Sequence, residues 1–319
     1  MDRTESTPAA SLHPTAWAIG VAAAVLMTGC SSSNSARTAD STPGSQAATS
    51  TRSGEGVQSA STESTPEMTR RLDSIAVLGH SGATGTLSDR QNITRDAHEN
   101  SWATGENPRV RSIYWRLLED HPAMEGHNFN AAVNGSTVND LESQFNALLL
   151  EADPQPDVVL IQTIDNDMRC DGTDPDNYTP FAQTLDDVLT AIAEEIPDVQ
   201  FYLTGPWATV ENWTAWAATD VEKVQQNSGN GPCDVFKENG QPSARGMRSM
   251  QAIVDSYWAR VESVCARHDG CFTDHGVQER FMPTDRDVAW DRNHLSLAGH
   301  RKYAEIAWSE FPEQIKSRP

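Results

Sequence analysis

Ser81 lies in Gly79-His80-Ser81-Gly82, where the apolar run 74–79 breaks at a glycine turn. A serine held at such a tip can attack a carbonyl. At its free pKa a hydroxyl is a poor nucleophile, so the chemistry also needs a base, a group that orients the base, and donors for the oxyanion. Candidates for each lie downstream. Asp291 and His294 stand three apart in Trp290-Asp291-Arg292-Asn293-His294, so one turn can present both, with the carboxylate orienting the imidazole. Gly135, within Asn134-Gly135-Ser136, can bring a backbone N–H to a ligand, and Asn166, within Ile164-Asp165-Asn166-Asp167, can add a side-chain amide. This set suits nucleophilic acyl transfer from an ester. No metal or organic cofactor is expected, because nucleophile, base and donors are all protein groups. His300 is assigned to a helix start and given no catalytic role.

These residues must be positioned by elements that end near one another. Strand-like runs are predicted over 74–79, 129–133, 157–162, 199–203 and 271–273, with helical periodicity over 110–119, 137–151 and 178–196 and after 298. The 137–151 helix starts at a capping threonine. Strands alternating with helices imply an α/β fold with a parallel sheet covered on both faces, and in such sheets ligands gather at the carboxyl ends of the strands. Ser81, Gly135 and Asn166 each follow a predicted strand. The insert 206–242 carries Trp207, Trp213 and Trp216; it either walls an acyl or sugar pocket or packs only against its own domain.

The first seventy residues read differently. Residues 16–27 form an apolar run too short for a good bilayer span, leading into Thr28-Gly29-Cys30. Residues 31–71 are mostly Ser, Thr, Ala and Gly, unable to bury enough surface to offset chain entropy. The expected organisation is an export signal over 1–30, a disordered tether over 31–71 and one folded domain over 72–319. The net charge of −21 argues against nucleic acid, since a phosphate backbone needs a basic footprint. Cys170, Cys233, Cys265 and Cys271 are an even set in an exported chain, which suggests two disulfides with three possible pairings. The short spacing of Cys265 and Cys271 favours that bridge, leaving Cys170 with Cys233. Zinc is disfavoured, there being no Cys-x-x-Cys and no histidine pair nearby.

The ordered set Gly-His-Ser, Asn-Gly, Asn-Asp and Asp-x-x-His resembles the SGNH/GDSL hydrolase family, whose four blocks carry Ser, Gly, Asn and His in that order. The resemblance spans 75–308. It implies a three-layer α/β/α sandwich with a five-stranded parallel sheet of flavodoxin-like type. Ser81 would be the nucleophile, Gly135 and Asn166 would join the Ser81 N–H in the oxyanion hole, His294 would be the base and Asp291 its partner. Gly85 matches the trailing glycine of the first block. His80 stands where that family has Asp, and Ile164 where it has Gly. The surroundings of Cys170, Cys233 and Cys265–Cys271 look similar to exported SGNH hydrolases of actinobacterial type, which supports the same disulfide pairing. Asn293-His294-Leu295-Ser296 also looks like lipid esterases of the phospholipase B type. The segment ending at Cys30 resembles a bacterial lipobox, implying a lipidated Cys30 at the outer face of the membrane, or a secreted protein.

The expected function is that of a monomeric serine esterase or lipase acting on an acyl ester, a lipid or an acetylated glycan. Gly79-His80-Ser81-Gly82-Ala83 also approaches the nucleophile elbow of α/β-hydrolases, but there the elbow follows several strands, and acid and base lie on separate loops. A non-catalytic glycan- or lipid-binding surface lipoprotein on the same scaffold is the other class of reading. Loss of a triad member would favour it, and none is lost.

Overall fold

The computed structural model describes residues 71–229 and 231–318. The export signal, the lipobox at Cys30 and nearly all of the tether lie outside them. Among the described residues, no helix is long and apolar enough to cross a membrane.

Five parallel strands form one sheet in the order β2-β1-β3-β4-β5. They are β1 (Ile75–Gly79), β2 (Asn128–Asn130), β3 (Val158–Gln162), β4 (Gln200–Thr204) and β5 (Cys271–Thr273). The helices are α1 (Ser81–Thr84), α2 (Ile113–Leu118), α3 (Leu141–Glu151), α4 (Asp174–Glu195), α5 (Val210–Ala217), α6 (Val221–Gln226), α7 (Ala244–Cys265), α8 (Val277–Arg280), α9 (Leu297–Glu310) and α10 (Glu313–Lys316). Side chains alternate across a strand, so each strand feeds two layers. Ala76, Leu78, Val159, Ile161, Phe201 and Leu203 pack with α3, α4 and α7, whereas Ile75, Val77, Val158, Leu160 and Tyr202 pack with α2, α9 and α10. This is the expected α/β/α sandwich.

The strands differ in detail from the sequence reading. β2 is only three residues long, but the ladder continues past it, Ala131 N donating to Val77 O and Val133 N to Gly79 O. The capping box at Thr137 forms, with a 3-10 turn before α3. α7 is a helix that the sequence reading does not anticipate. Its buried Ile253, Val254, Tyr257, Val261 and Val264 lie at helical spacing, but Arg, Glu, Ser and Gln between them dilute the apolar stripe. Both disulfides form as expected, Cys170–Cys233 with Cα atoms 5.4 Å apart and Cys265–Cys271 with 5.3 Å. The second joins the end of α7 to the start of β5. Two disulfides fit an oxidising, extracytoplasmic compartment.

Two buried titratable groups sit in this frame with opposite consequences. Asp274, just past β5, is buried without a well-formed hydrogen bond to its carboxylate oxygens. Burial pushes this carboxyl up to about 7, with the Gly205 N–H pulling the other way. His300, on α9, is buried, and burial, helped by His294, pushes it down to about 3. Since Asp274 holds its proton more tightly folded than unfolded, its stabilising contribution is present below about pH 4 and lost as pH rises through its folded value. His300 acts in reverse: its contribution is present above about pH 6.5 and lost on acidification. Asp274→Asn, neutral at every pH, should therefore melt higher than wild type near pH 8 and no higher near pH 4, as read by calorimetric melting across about that range.

Candidate active site

Ser81 follows β1 and Asn166 follows β3, and these two strands are neighbours where the strand order reverses. Such a switch point opens a crevice at the carboxyl ends. Gly79 is the last residue of β1 and pairs with Gln162, the last of β3. A Cβ at Gly79 would stand 2.3 Å from the Gln162 carbonyl oxygen, and φ there is +133°, so only glycine allows this approach. Gln144, buried on α3, completes the pairing: its Oε1 accepts from Gly79 N at 2.7 Å and its Nε2 donates to Gly79 O at 2.9 Å. Ser81 is thereby lifted off the strand end as the first residue of α1, partly exposed.

His80 brackets the serine from the other side. Its Nδ1 accepts from Gly82 N at 3.0 Å, capping α1. Its Nε2 lies 3.0 Å from Asp165 Oδ2, at an angle poor for a hydrogen bond. The departure at His80 therefore retains a brace, one that joins the serine turn to the loop of Asn166.

Gly135 adopts φ +76°, and a Cβ added there would meet nothing within 4 Å, so backbone conformation and not space calls for glycine. The turn is fastened through Asn134, whose Nδ2 donates to Asp96 Oδ1 at 2.7 Å and whose Oδ1 accepts from Thr84 Oγ1 at 3.1 Å. Thr84 belongs to α1, so the Gly135 turn is tied to the helix of Ser81. Asn166 Nδ2 donates to Ser136 O at 2.9 Å. An amide nitrogen carries two protons, so one remains. Among the described residues, the backbone N–H groups of Ser81 and Gly135 have no acceptor either.

Asp167, next to Asn166, holds both loops. Its Oδ1 accepts from Val138 N at 2.9 Å and its Oδ2 from Ile164 N at 3.1 Å. Burial raises this carboxyl to about 6 against the pull of those two N–H groups. Ile164 sits at φ +90° where the resembled family has glycine, a conformation that costs a β-branched residue of order 1–3 kcal/mol. Its fully buried side chain and the bond from its N–H hold it there. Tyr257, on α7, donates its hydroxyl to Asp167 O at 2.9 Å.

Asp291 and His294 share one turn, as their spacing predicts. His294 Nδ1 stands 2.6 Å from Asp291 Oδ2, while Asp291 Oδ1 accepts from Asn293 N at 3.0 Å and His294 N at 3.1 Å. Burial would raise the Asp291 carboxyl, but the His294 imidazole and these N–H groups outweigh it and hold it down to about 2. The turn is closed by Ala289 N donating to His294 O at 2.8 Å, and Arg292 pairs outward with Asp220 and Glu222 on and beside α6. Ser81 Oγ and His294 Nε2 make no hydrogen bond to each other, and neither has another partner among the described residues.

Sequence reasoning names Ser81, Gly135, Asn166, Asp291 and His294 but misses Gln144, Asp167 and Tyr257. Asp167 could be found as the acid directly after Asn166. Gln144 and Tyr257 lie on helix faces and carry no local signature. In the tryptophan-rich insert, Trp207 packs on Phe281 with ring centres 5.3 Å apart, and Trp216 donates its indole N–H to Asp285 Oδ1 at 3.1 Å. Val210, Trp216, Val235 and Phe236 form a small core of their own with Val254 of α7. Among the described residues, no group of three or more His, Cys, Asp or Glu side chains could hold a metal ion.

No curated protein matches the chain. Among solved structures it is similar to a family 3 carbohydrate esterase of Clostridium thermocellum, at 16% identity and a TM-score of 0.45, covering 76% of this chain and 97% of that one. It is also similar to a psychrotrophic esterase of Pseudoalteromonas at 14% identity and a TM-score of 0.40, covering 75% and 96%. A third is an acetylxylan esterase of Geobacillus stearothermophilus, a catalytic mutant, at 16% and 0.43, covering 75% and 94%. The profile described as GDSL-like Lipase/Acylhydrolase matches residues 73–307, and the chain belongs to that family of serine hydrolases acting on esters.

Proposed function

We propose that the protein hydrolyses carboxylic esters through Ser81, His294 and Asp291, with the N–H groups of Ser81 and Gly135 and the amide of Asn166 receiving the oxyanion. The observation that carries this reading is the 2.6 Å contact between His294 Nδ1 and Asp291 Oδ2, which leaves Nε2 unengaged. A carboxylate held down to about 2 stays ionised across the working range and keeps the proton on Nδ1, so Nε2 is the basic nitrogen. His294 takes the proton of Ser81 as Oγ attacks the ester carbon, and passes it to the departing alkoxide. The acyl-serine is then cleaved by a water deprotonated at the same nitrogen, releasing the acid. Catalytic hydrogen bonds tighten in the Michaelis or transition-state complex, which is where the Ser81–His294 bond is expected to form.

The three donors sit on the first turn of α1 and on the loops of Gly135 and Asn166, and each retains a free N–H among the described residues. Their common target is the charge that develops on the carbonyl oxygen, not the ground-state carbonyl. Acyl esters, lipids and acetylated glycans all contain the required group. We place the enzyme at the outer cell surface, carried by a Cys30 lipid anchor and the tether over 31–71; two acyl signals would hold it stably where one is marginal. A radiolabelled fatty acid incorporated in wild type and absent in Cys30→Ala would support the anchor.

Ser81→Ala should abolish hydrolysis of p-nitrophenyl acetate and labelling by a fluorophosphonate probe while the melting temperature stays near wild type. Labelling that persists in this variant would remove Ser81 as nucleophile. Asn166→Ala should lower kcat by about 10²–10³, the effect of removing one oxyanion donor, and a decrease of tenfold or less would take Asn166 out of the hole.

A further inference from the structure

We propose that an arginine-lined groove beside the candidate active site binds the anionic backbone of an acylated polysaccharide, so that the ester cleaved is one carried on a polyanionic glycan. The proposal rests on the esterase reading for its catalytic half. The groove, about 1390 Å³, is walled by residues of 87–93, after the Ser81 helix, by residues of 107–111, and by residues of 285–301 on either side of the Asp291–His294 turn, whose two catalytic side chains lie outside the wall. Trp290 and Arg292, which flank Asp291 in sequence, both line it.

Its charge is out of keeping with the chain. Acidic residues outnumber basic ones 45 to 24, so an arginine on this surface has an excess of carboxylates as potential partners. Yet Arg90, Arg109, Arg286 and Arg301 all line the groove, all are exposed, and none makes an ion pair or side-chain hydrogen bond among the described residues. Arg111 and Arg292 also line it, ion-paired with Glu119 and with Asp220 and Glu222, of which Asp220 belongs to the same wall. Three of the four acids of the lining are ion-paired, Asp89 and Glu99 with Arg95 and Asp220 with Arg292, and only Asp285, which accepts the Trp216 indole N–H, keeps an uncompensated charge against the four free guanidinium groups. What remains available is positive.

The occupant follows from the chemistry of that lining. A guanidinium fork matches a carboxylate or phosphate in two parallel hydrogen bonds, and several spaced along a groove match a repeating anion. The volume exceeds the roughly 300–1,000 Å³ of a single small-molecule pocket and suits a polymer segment. A concave groove receives a chain, whereas a planar bilayer requires a flat or convex face. Trp290 offers an apolar face, 65% exposed, on which a sugar ring can lie. The net negative field of the rest of the protein would repel a polyanion at long range, but physiological salt screens it beyond about 8 Å and leaves the local groove to act.

The test separates binding from catalysis. Full-length Ser81→Ala protein is titrated calorimetrically with polygalacturonate, with its fully methyl-esterified form, and with phosphatidylglycerol vesicles. Binding to the free-acid polymer that weakens with salt, and at least tenfold weaker binding to the methyl ester, is the expected result. Replacing Arg90, Arg109, Arg286 and Arg301 together by Gln should weaken it by about a hundredfold or more, at roughly tenfold or less for each charge-assisted hydrogen bond removed. Arg248→Gln with Arg260→Gln, which removes exposed charge from α7 outside the groove, should leave it unchanged. Equal binding of both polymers, no effect of the quadruple variant, or binding to the vesicles alone would overturn the proposal. With Ser81 intact, acetate release from O-acetylated polygalacturonate should exceed that from its methyl ester at equal polymer concentration. If the polymer binds but neither it nor p-nitrophenyl acetate is hydrolysed, the esterase reading fails and the groove stands; if p-nitrophenyl acetate is hydrolysed and the polymer does not bind, the reverse holds.

Discussion

The close approach of β1 and β3 at Gly79 and Gln162 is the constraint on which the site depends. The last residues of these two strands are paired at the topological switch point, and with φ at +133° a Cβ at Gly79 would stand 2.3 Å from the Gln162 carbonyl oxygen. Because that space is closed, the chain after β1 must turn sharply. The turn starts a four-residue helix with Ser81 at its head and leaves the Ser81 N–H unpaired. A short helix of this kind has little stability of its own. It is held by the His80 cap, by Thr84 bonded to Asn134, and by burial of Ala83 and Thr84.

The loops that face this turn are coupled to one another by one carboxylate. Asp167 accepts a backbone N–H from the loop after β2 and another from the loop after β3, so Gly135 and Asn166 share a common anchor. Burial works against this group being ionised, and the two N–H groups work for it. The bond from Ile164 N–H to this carboxylate, with the burial of the Ile164 side chain, holds that residue in its left-handed conformation two positions before Asn166. Tyr257 then fixes the Asp167 carbonyl from α7, which makes a helix distant in sequence part of the scaffold of the site.

The parts of this arrangement that are legible in the sequence are local ones. A glycine turn after an apolar run, an Asn-Gly pair, and an acid three residues before a histidine are each contained within a few residues, and their order along the chain points to a family. The disulfide between Cys265 and Cys271 is legible for the same reason. Gln144, Tyr257 and the body of α7 are not, because their roles exist only once the sheet joins segments distant along the chain, as the separations of 65 for Gln144–Gly79 and 90 for Tyr257–Asp167 show. β2 differs in length from its expected span for a related reason: the run 129–133 does continue to bond to β1, but beyond Asn130 it does so as a turn-bearing edge and not as a regular strand.

The groove's arginines illustrate the limit of reading charge as a sum. A net charge of −21 describes how the molecule repels others at low salt, and says nothing about how sixteen arginines between residues 71 and 318 are distributed over its surface. Folding gathers six of them from segments near 90, 110, 290 and 300 onto one concavity, and commits most of the neighbouring acids to other partners. Unpaired like charges in one place repel, and that cost persists in every folded molecule. A polyanion removes the repulsion when it binds, so the same residues that repel one another supply its affinity.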